Sequence, residues 1–186
     1  MIGLHFNGLG APPPPAGIEQ PPEEQTWRRA ITAFFALERA YFDEQQRKPQ
    51  TVAFALADNP LGTAAWIVEK LKGWSDAQNE LDPPFTKDQV LTNVMLYLVT
   101  NTAPTSVWFY RGALDDPPSA GRIMVPVGVI SFPRELTQLN PPESVLARNY
   151  NLVHYTKMPR GGHFAFWEQP EVMVADVRQF FRKLRG

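Results

Sequence analysis

The chain contains no cysteine. Disulfides, a thiol nucleophile and thiolate metal ligands are therefore excluded. It also lacks an excess of charge: 18 basic residues face 19 acidic ones, for a net charge of −1. Neither nucleic acid nor an anionic membrane surface is indicated as a partner. No apolar run approaches the length of a membrane span, and the first residues do not read as a secretory leader. Together with the missing cysteine, this points to a cytoplasmic setting. There is no internal repeat, and no group of histidines and carboxylates has ligand spacing. Neither a metal nor an organic cofactor is expected.

What remains is ordinary globular material. The 186 residues suit one domain of moderate size, and 44% hydrophobic content is enough for a core. The 19 prolines punctuate the chain in clusters. Residues 1–6 read as a buried strand, in which His5 is expected to be a core histidine with a backbone partner. A proline-rich loop follows. From Glu23 onward Trp27, Ala30, Ile31, Phe34, Phe35, Leu37 and Tyr41 recur at helical spacing, up to a break at residues 47–50. Helices are predicted over 51–57, 61–74, 87–101 and 104–111. Pro83, Pro84 and Phe85 form a turn, and Thr86 with Gln89 has the form of a capping box. The aromatic residues of this helical middle are expected to pack the helices, and Tyr97, Tyr150 and Tyr155 are expected to be structural. After a loop at 115–121, residues 125–130 form an apolar run that suits a parallel strand covered on both faces. A short helix at 142–148, a strand at 152–155 and a helix at 170–185 complete the chain. Glu168 and Glu171 near the start of the last helix, with basic residues toward its end, complement its dipole. His154 reads as a structural strand residue.

The stretch Pro159-Arg160-Gly161-Gly162-His163-Phe164 lies between the third strand and the last helix. Glycines allow backbone angles closed to other residues, and imidazole exchanges protons near neutral pH. Glu135 follows the preceding strand, 28 residues upstream of His163. An acid after one strand and a histidine after the next form the second half of an α/β-hydrolase triad. Asp115 and Asp116 rival Glu135 by residue type only, since they precede the strand.

These residues, together with Arg47-Lys48-Pro49-Gln50-Thr51, Leu61-Gly62-Thr63-Ala64-Ala65-Trp66-Ile67-Val68-Glu69-Lys70 and Leu91-Thr92-Asn93-Val94-Met95-Leu96-Tyr97, resemble the C-terminal part of microsomal-type epoxide hydrolases. The resemblance implies the C-terminal portion of an α/β-hydrolase fold. Its core would be residues 1–11 and 123–186, with about three parallel strands. A helical lid, residues 12–122, would be inserted after the first strand. The resemblance further implies that His163, oriented by Glu135, activates water, and that Tyr41 and Tyr110 donate to the epoxide oxygen. The substrate would be a small apolar epoxide, opened with water to a vicinal diol.

One element of that pattern is missing. None of the 12 glycines belongs to a Gly-x-Asp-x-Gly or Gly-x-Ser-x-Gly turn, and no His-Gly-x-Pro oxyanion motif occurs. The resemblance therefore implies a fragment whose nucleophile comes from an N-terminal half or a second chain. A non-catalytic remnant or binding module is the alternative. Another α/β-hydrolase, such as an esterase or dehalogenase, is favoured less, because the paired tyrosines serve epoxide opening.

Overall fold

The computed structural model describes residues 1–15, 17–77, 84–116, 121–135 and 140–185. Pro83 of the expected turn and residues 117–120 of the expected loop lie outside these. The chain forms two compact units: Met1–Phe34 with Trp74–Asp76 and Gly121–Gly186, and Phe35–Gly73 with Ala77–Ala120.

The first unit is built on a parallel sheet of three strands, β1 (Leu4–Asn7), β2 (Ile123–Ser131) and β3 (Tyr150–Lys157), in that spatial order. β1 starts later than expected: Met1 and Ile2 are exposed, and the strand runs on to Asn7. Pro126 has no N–H to give the ladder, and the β2–β3 register shifts next to it. Both faces of β2 are covered, as its unbroken apolar run predicts. Val127 and Val129 pack with Leu146 of α8 (Glu143–Asn149) and with Tyr150. Ile130 packs with Phe132, with Ala165 of α9 (Ala165–Glu168) and with Met173 of α10 (Pro170–Lys183). Gly128 leaves space that a Cβ would take, only 2.8 Å from the Phe180 ring.

The first unit also holds the start of α1 (Pro22–Glu38). Buried Glu24 there takes both terminal nitrogens of Arg148 at 2.8 Å and the Arg28 guanidinium at 2.7 Å. The Ser144 hydroxyl donates to Glu23. Two side-chain contacts thus tie α1 to α8.

The second unit is helical: α2 (Ala40–Arg47), α3 (Pro49–Ala57), α4 (Pro60–Trp74), α5 (Lys87–Val99), α6 (Ala103–Ser106) and α7 (Trp108–Asp115). Two helices expected to run unbroken are split. Arg39 separates α1 from α2, where the Phe42 amide bonds to the Arg39 carbonyl in a tighter turn. Fully buried Val107 separates α6 from α7. α3 begins on Pro49 rather than after it, since proline at a first helical position loses no hydrogen bond. The capping box forms, with Gln89 N donating to Thr86 Oγ1 at 3.2 Å and Thr86 N to Gln89 Oε1 at 2.8 Å. Val52, Ala53, Leu56, Ala103 and Val107 form one core cluster, with Trp66 and Tyr97 packed against it. No helix among the described residues is long and apolar enough to cross a membrane.

Candidate active site

The loops that follow β1, β2 and β3 all belong to the first unit. β2 ends at Ser131, and the chain turns at once through buried Phe132 to Glu135. β3 ends at Lys157, and the glycine–histidine loop follows. Because the strands are parallel neighbours, their ends deliver both loops to the same edge of the sheet. An isolated bridge between Arg134 and Gly162 fixes the two loops side by side. Glu135 Oε1 lies 2.7 Å from His163 Nδ1. With Nδ1–H donating to the carboxylate, Nε2 is the nitrogen left to accept a proton.

The two partners differ in exposure. The His163 side chain is 34% exposed and the Glu135 side chain 1%. Burial pushes the Glu135 carboxyl above its usual range, outweighing the hydrogen bond and charge of His163. Its second oxygen, Oε2, is buried with no partner among the described residues. Gly8, at φ +85°, makes room for the Glu135 side chain: a Cβ there would sit 2.8 Å from its carboxyl carbon and 2.9 Å from Oε1. Asn7 donates to the His163 carbonyl at 3.4 Å. The loop after β1 thus belongs to the site, although its sequence reads only as a helix-breaking connection.

The sequence also gave no sign of a group that supports the histidine loop. Glu168, at the end of α9, accepts from Gly162 N at 3.1 Å, Phe164 N at 3.0 Å and Asp76 N at 2.7 Å. Asp76 accepts from Gly161 N at 2.8 Å. The Trp74 carbonyl accepts from His163 N at 2.9 Å, and its ring meets the imidazole edge-on, 5.4 Å between centroids.

In the second unit, Tyr41 of α2 and Tyr110 of α7 come together, their rings 5.9 Å apart and nearly perpendicular. Burial, then the neighbouring Tyr110 phenol and the Glu38 carboxylate, push Tyr41 up to about 12. Burial also raises Tyr110, against a hydrogen bond with Gln45. Both phenols keep their protons at neutral pH and can donate them. Lys70 sits over the Tyr41 ring, 4.7 Å from its centroid. Asp115 is taken up by an ion pair with Arg111 at 2.6 Å.

The other two histidines do not behave as the sequence implied in every respect. His5 has a side-chain partner rather than a backbone one: Asp176 Oδ2 of α10, at 2.7 Å. His154 is a structural residue, buried and 2.9 Å from Asp176 Oδ1, to which Thr156 also donates at 2.7 Å. His5, His154 and Asp176 bring their polar atoms within 4.8 Å of one another, a potential set of metal ligands that spacing along the chain does not reveal. Among the described residues no hydrogen bond fixes the far ring nitrogen of either histidine, the support that metal-bound imidazoles usually have. Direct bonding through Asp176 accounts for the cluster.

No protein-family model matches the chain. A relative from Stigmatella aurantiaca is 38% identical over 188 aligned positions, covering all of this chain and 42% of its own. Epoxide hydrolase 1 of Sus scrofa is 37% identical over 155, covering 77% and 34%. The chain therefore spans well under half the length of these relatives. Among solved structures, Aspergillus niger epoxide hydrolase matches with a TM-score of 0.80 at 28% identity, over 98% of this chain and 46% of that one. Juvenile hormone epoxide hydrolase from the silkworm Bombyx mori matches with 0.78 at 28%, over 100% and 49%. The chain belongs with the α/β-hydrolase epoxide hydrolases of the microsomal and juvenile hormone types, and matches a C-terminal part of them.

Proposed function

We propose that this chain supplies the water-activating part of an epoxide hydrolase that converts a small apolar epoxide and water to a vicinal diol. The nucleophilic carboxylate would come from sequence outside these 186 residues, in an N-terminal half or a second chain. That carboxylate attacks an epoxide carbon and forms an ester, while Tyr41 and Tyr110 donate to the oxygen that leaves as an alkoxide. Water then attacks the ester. His163 takes its proton on Nε2, and Glu135 holds Nδ1–H and stabilises the imidazolium that forms. In this reading the lid is residues 12–122, which include the second unit, and the setting is cytoplasmic.

The observation that supports the reading best is the pairing of a partly exposed His163 with a buried Glu135 at 2.7 Å, in a chain related to epoxide hydrolases. The meeting of Tyr41 and Tyr110, their rings 5.9 Å apart, supports a shared donor role for two phenols that are protonated at neutral pH. The test is to measure diol formation from a small aromatic epoxide by residues 1–186 alone, then with a complementary N-terminal segment. Turnover is expected only with the segment, and Tyr41→Phe with Tyr110→Phe should abolish it where either change alone leaves a residue of activity. If the complemented chain binds the epoxide without producing diol, the non-catalytic alternative replaces this reading.

A further inference from the structure

Residues 161–164 present four consecutive backbone N–H groups, and each has a partner. Gly161 N goes to Asp76 Oδ2, Gly162 N to Glu168 Oε2, His163 N to the Trp74 carbonyl and Phe164 N to Glu168 Oε1. A loop ordinarily leaves such groups to water. Here two carboxylates and one carbonyl take them all, and the two carboxyl-bearing residues are themselves joined, Asp76 N to Glu168 Oε2 at 2.7 Å. Arg134, one residue before the acid partner, completes the frame: its amide donates to the Gly161 carbonyl at 3.0 Å and its guanidinium lies 3.5 Å from Asp76. The packing leaves no slack. A Cβ on Gly162 would lie 2.7 Å from both Asp76 N and Trp74 O, and one on Gly161 would collide with the Phe132 ring.

We propose that Glu168 and Asp76 are positioning residues, which clamp the backbone on either side of His163 and so hold its imidazole on Glu135. The role assigned to His163 rests on the reading above; the clamp itself does not. An imidazole carried by a loop has the freedom of the loop backbone as well as of its own two torsions, and a base misplaced by about 1 Å loses much of its effect. Holding the amides at 162 and 164 removes the backbone part of that freedom. The carboxylate suits the task because it offers acceptors on both oxygens at once and no donor. Burial pushes Glu168 up, with the nearby Asp76 adding to this, while its three amide bonds pull the other way. The group is kept in spite of its desolvation, as expected where the bonds it accepts have a purpose.

Residues 76 and 168 predict different responses to the same chemical change. A glutamine at 168 has one acceptor oxygen for three N–H groups and turns its own N–H toward one of them. An asparagine at 76 still accepts from Gly161. The experiment follows the His163 Nδ1 proton by NMR and the exchange of the 162 and 164 amides, in the full 186-residue chain without substrate. Glu168→Gln is expected to speed those amides roughly 10- to 100-fold, the range set by losing a hydrogen bond to a charged group, and to broaden the Nδ1 proton beyond detection. Asp76→Asn should leave the Nδ1 proton visible, and Asp76→Ala should lose it. A folded Glu168→Gln chain with an unchanged Nδ1 proton overturns the proposal. So do unprotected 162 and 164 amides in the parent chain, a measurement that holds even if Glu168→Gln does not fold. Failure of diol formation in a complemented enzyme would count against the proposed function and leave the clamp standing.

Discussion

His163 and His154 each meet a carboxylate at hydrogen-bonding distance, 2.7 Å to Glu135 and 2.9 Å to Asp176. By distance the two contacts are equivalent. Their surroundings separate them. Asp176 receives His154, His5 and Thr156, on both of its oxygens, and the three acidic and imidazole side chains are 4–6% exposed. Glu135 receives one described donor, its other oxygen is orphaned, and the imidazole it holds reaches solvent. The titration directions follow. Burial pushes Asp176 up, but the hydrogen bonds from His154, Thr156 and His5 together bring it below the usual carboxylate range. Burial pushes Glu135 up, and one imidazole does not reverse it. A saturated cluster serves the fold, joining β1 and β3 to α10. An under-saturated pair with an accessible imidazole is what the proposed function asks of its base, at some cost in stability.

The sharpest way to break this comparison is to remove each centre. His163→Ala, assayed in a complemented enzyme, should lower kcat by about 10²- to 10⁴-fold, the usual contribution of a positioned general base, with little change in melting temperature. Asp176→Ala should do the reverse. Stranding His5, His154 and Thr156 is expected to cost about 3–5 kcal/mol, measured by chemical denaturation, while the His163 Nδ1 proton persists. A catalytic loss from Asp176→Ala in a folded protein would erase the distinction.

A third buried carboxylate calibrates the other two. Glu24 faces permanent cations rather than imidazoles: Arg148, then Arg28, hold it down to about 2 from 4.5, against its own burial. Because the folded value is depressed, its contribution to stability is present above pH 4.5 and is lost as pH falls toward 2. The loss should be on the order of 1–3 kcal/mol, since part of each arginine remains solvated. Glu24→Gln is expected to lower stability at pH 7 and to flatten the acid limb of the denaturation profile below pH 4.5. An unchanged acid limb would show that the ion pair contributes nothing measurable.

Much of this was legible in the chain and some was not, for physical reasons. The unbroken apolar run of β2 announces a strand covered twice, and the Thr86 and Gln89 spacing announces a cap. Glu135 and His163 could be paired because each directly follows a strand, so topology brings them together. Glu168 and Asp76 could not. Asp76 is 85 residues from the Gly161 amide it accepts, and Glu168 is 92 from the Asp76 amide; in sequence one is an unremarked acid and the other an ordinary acid near a helix start. His5 and Asp176 are separated by 171 residues, and only the sheet order joins them. The breaks at Arg39 and Val107 carry no proline or glycine to mark them, so periodicity runs through both.

The smallest expected effect tests the claim that Glu135 is held at a cost. Its folded titration lies above the unfolded value, so its favourable contribution is complete below the unfolded value and is lost as pH rises through the folded one. At neutral pH the buried, half-satisfied carboxylate is therefore a burden on the fold. Glu135→Gln keeps the shape, keeps an oxygen for His163 Nδ1–H and removes the charge. Stability at pH 7 should stay level or rise by about 1 kcal/mol, a gain typical of relieving an active-site compromise. Diol formation in the complemented enzyme should fall, because a neutral amide cannot stabilise the imidazolium. The same exchange of charge for amide at Glu24 is predicted to lower stability. If Glu135→Gln is as destabilising as Glu24→Gln, Glu135 is a structural acid like the others, and its unpaired oxygen has lost its significance.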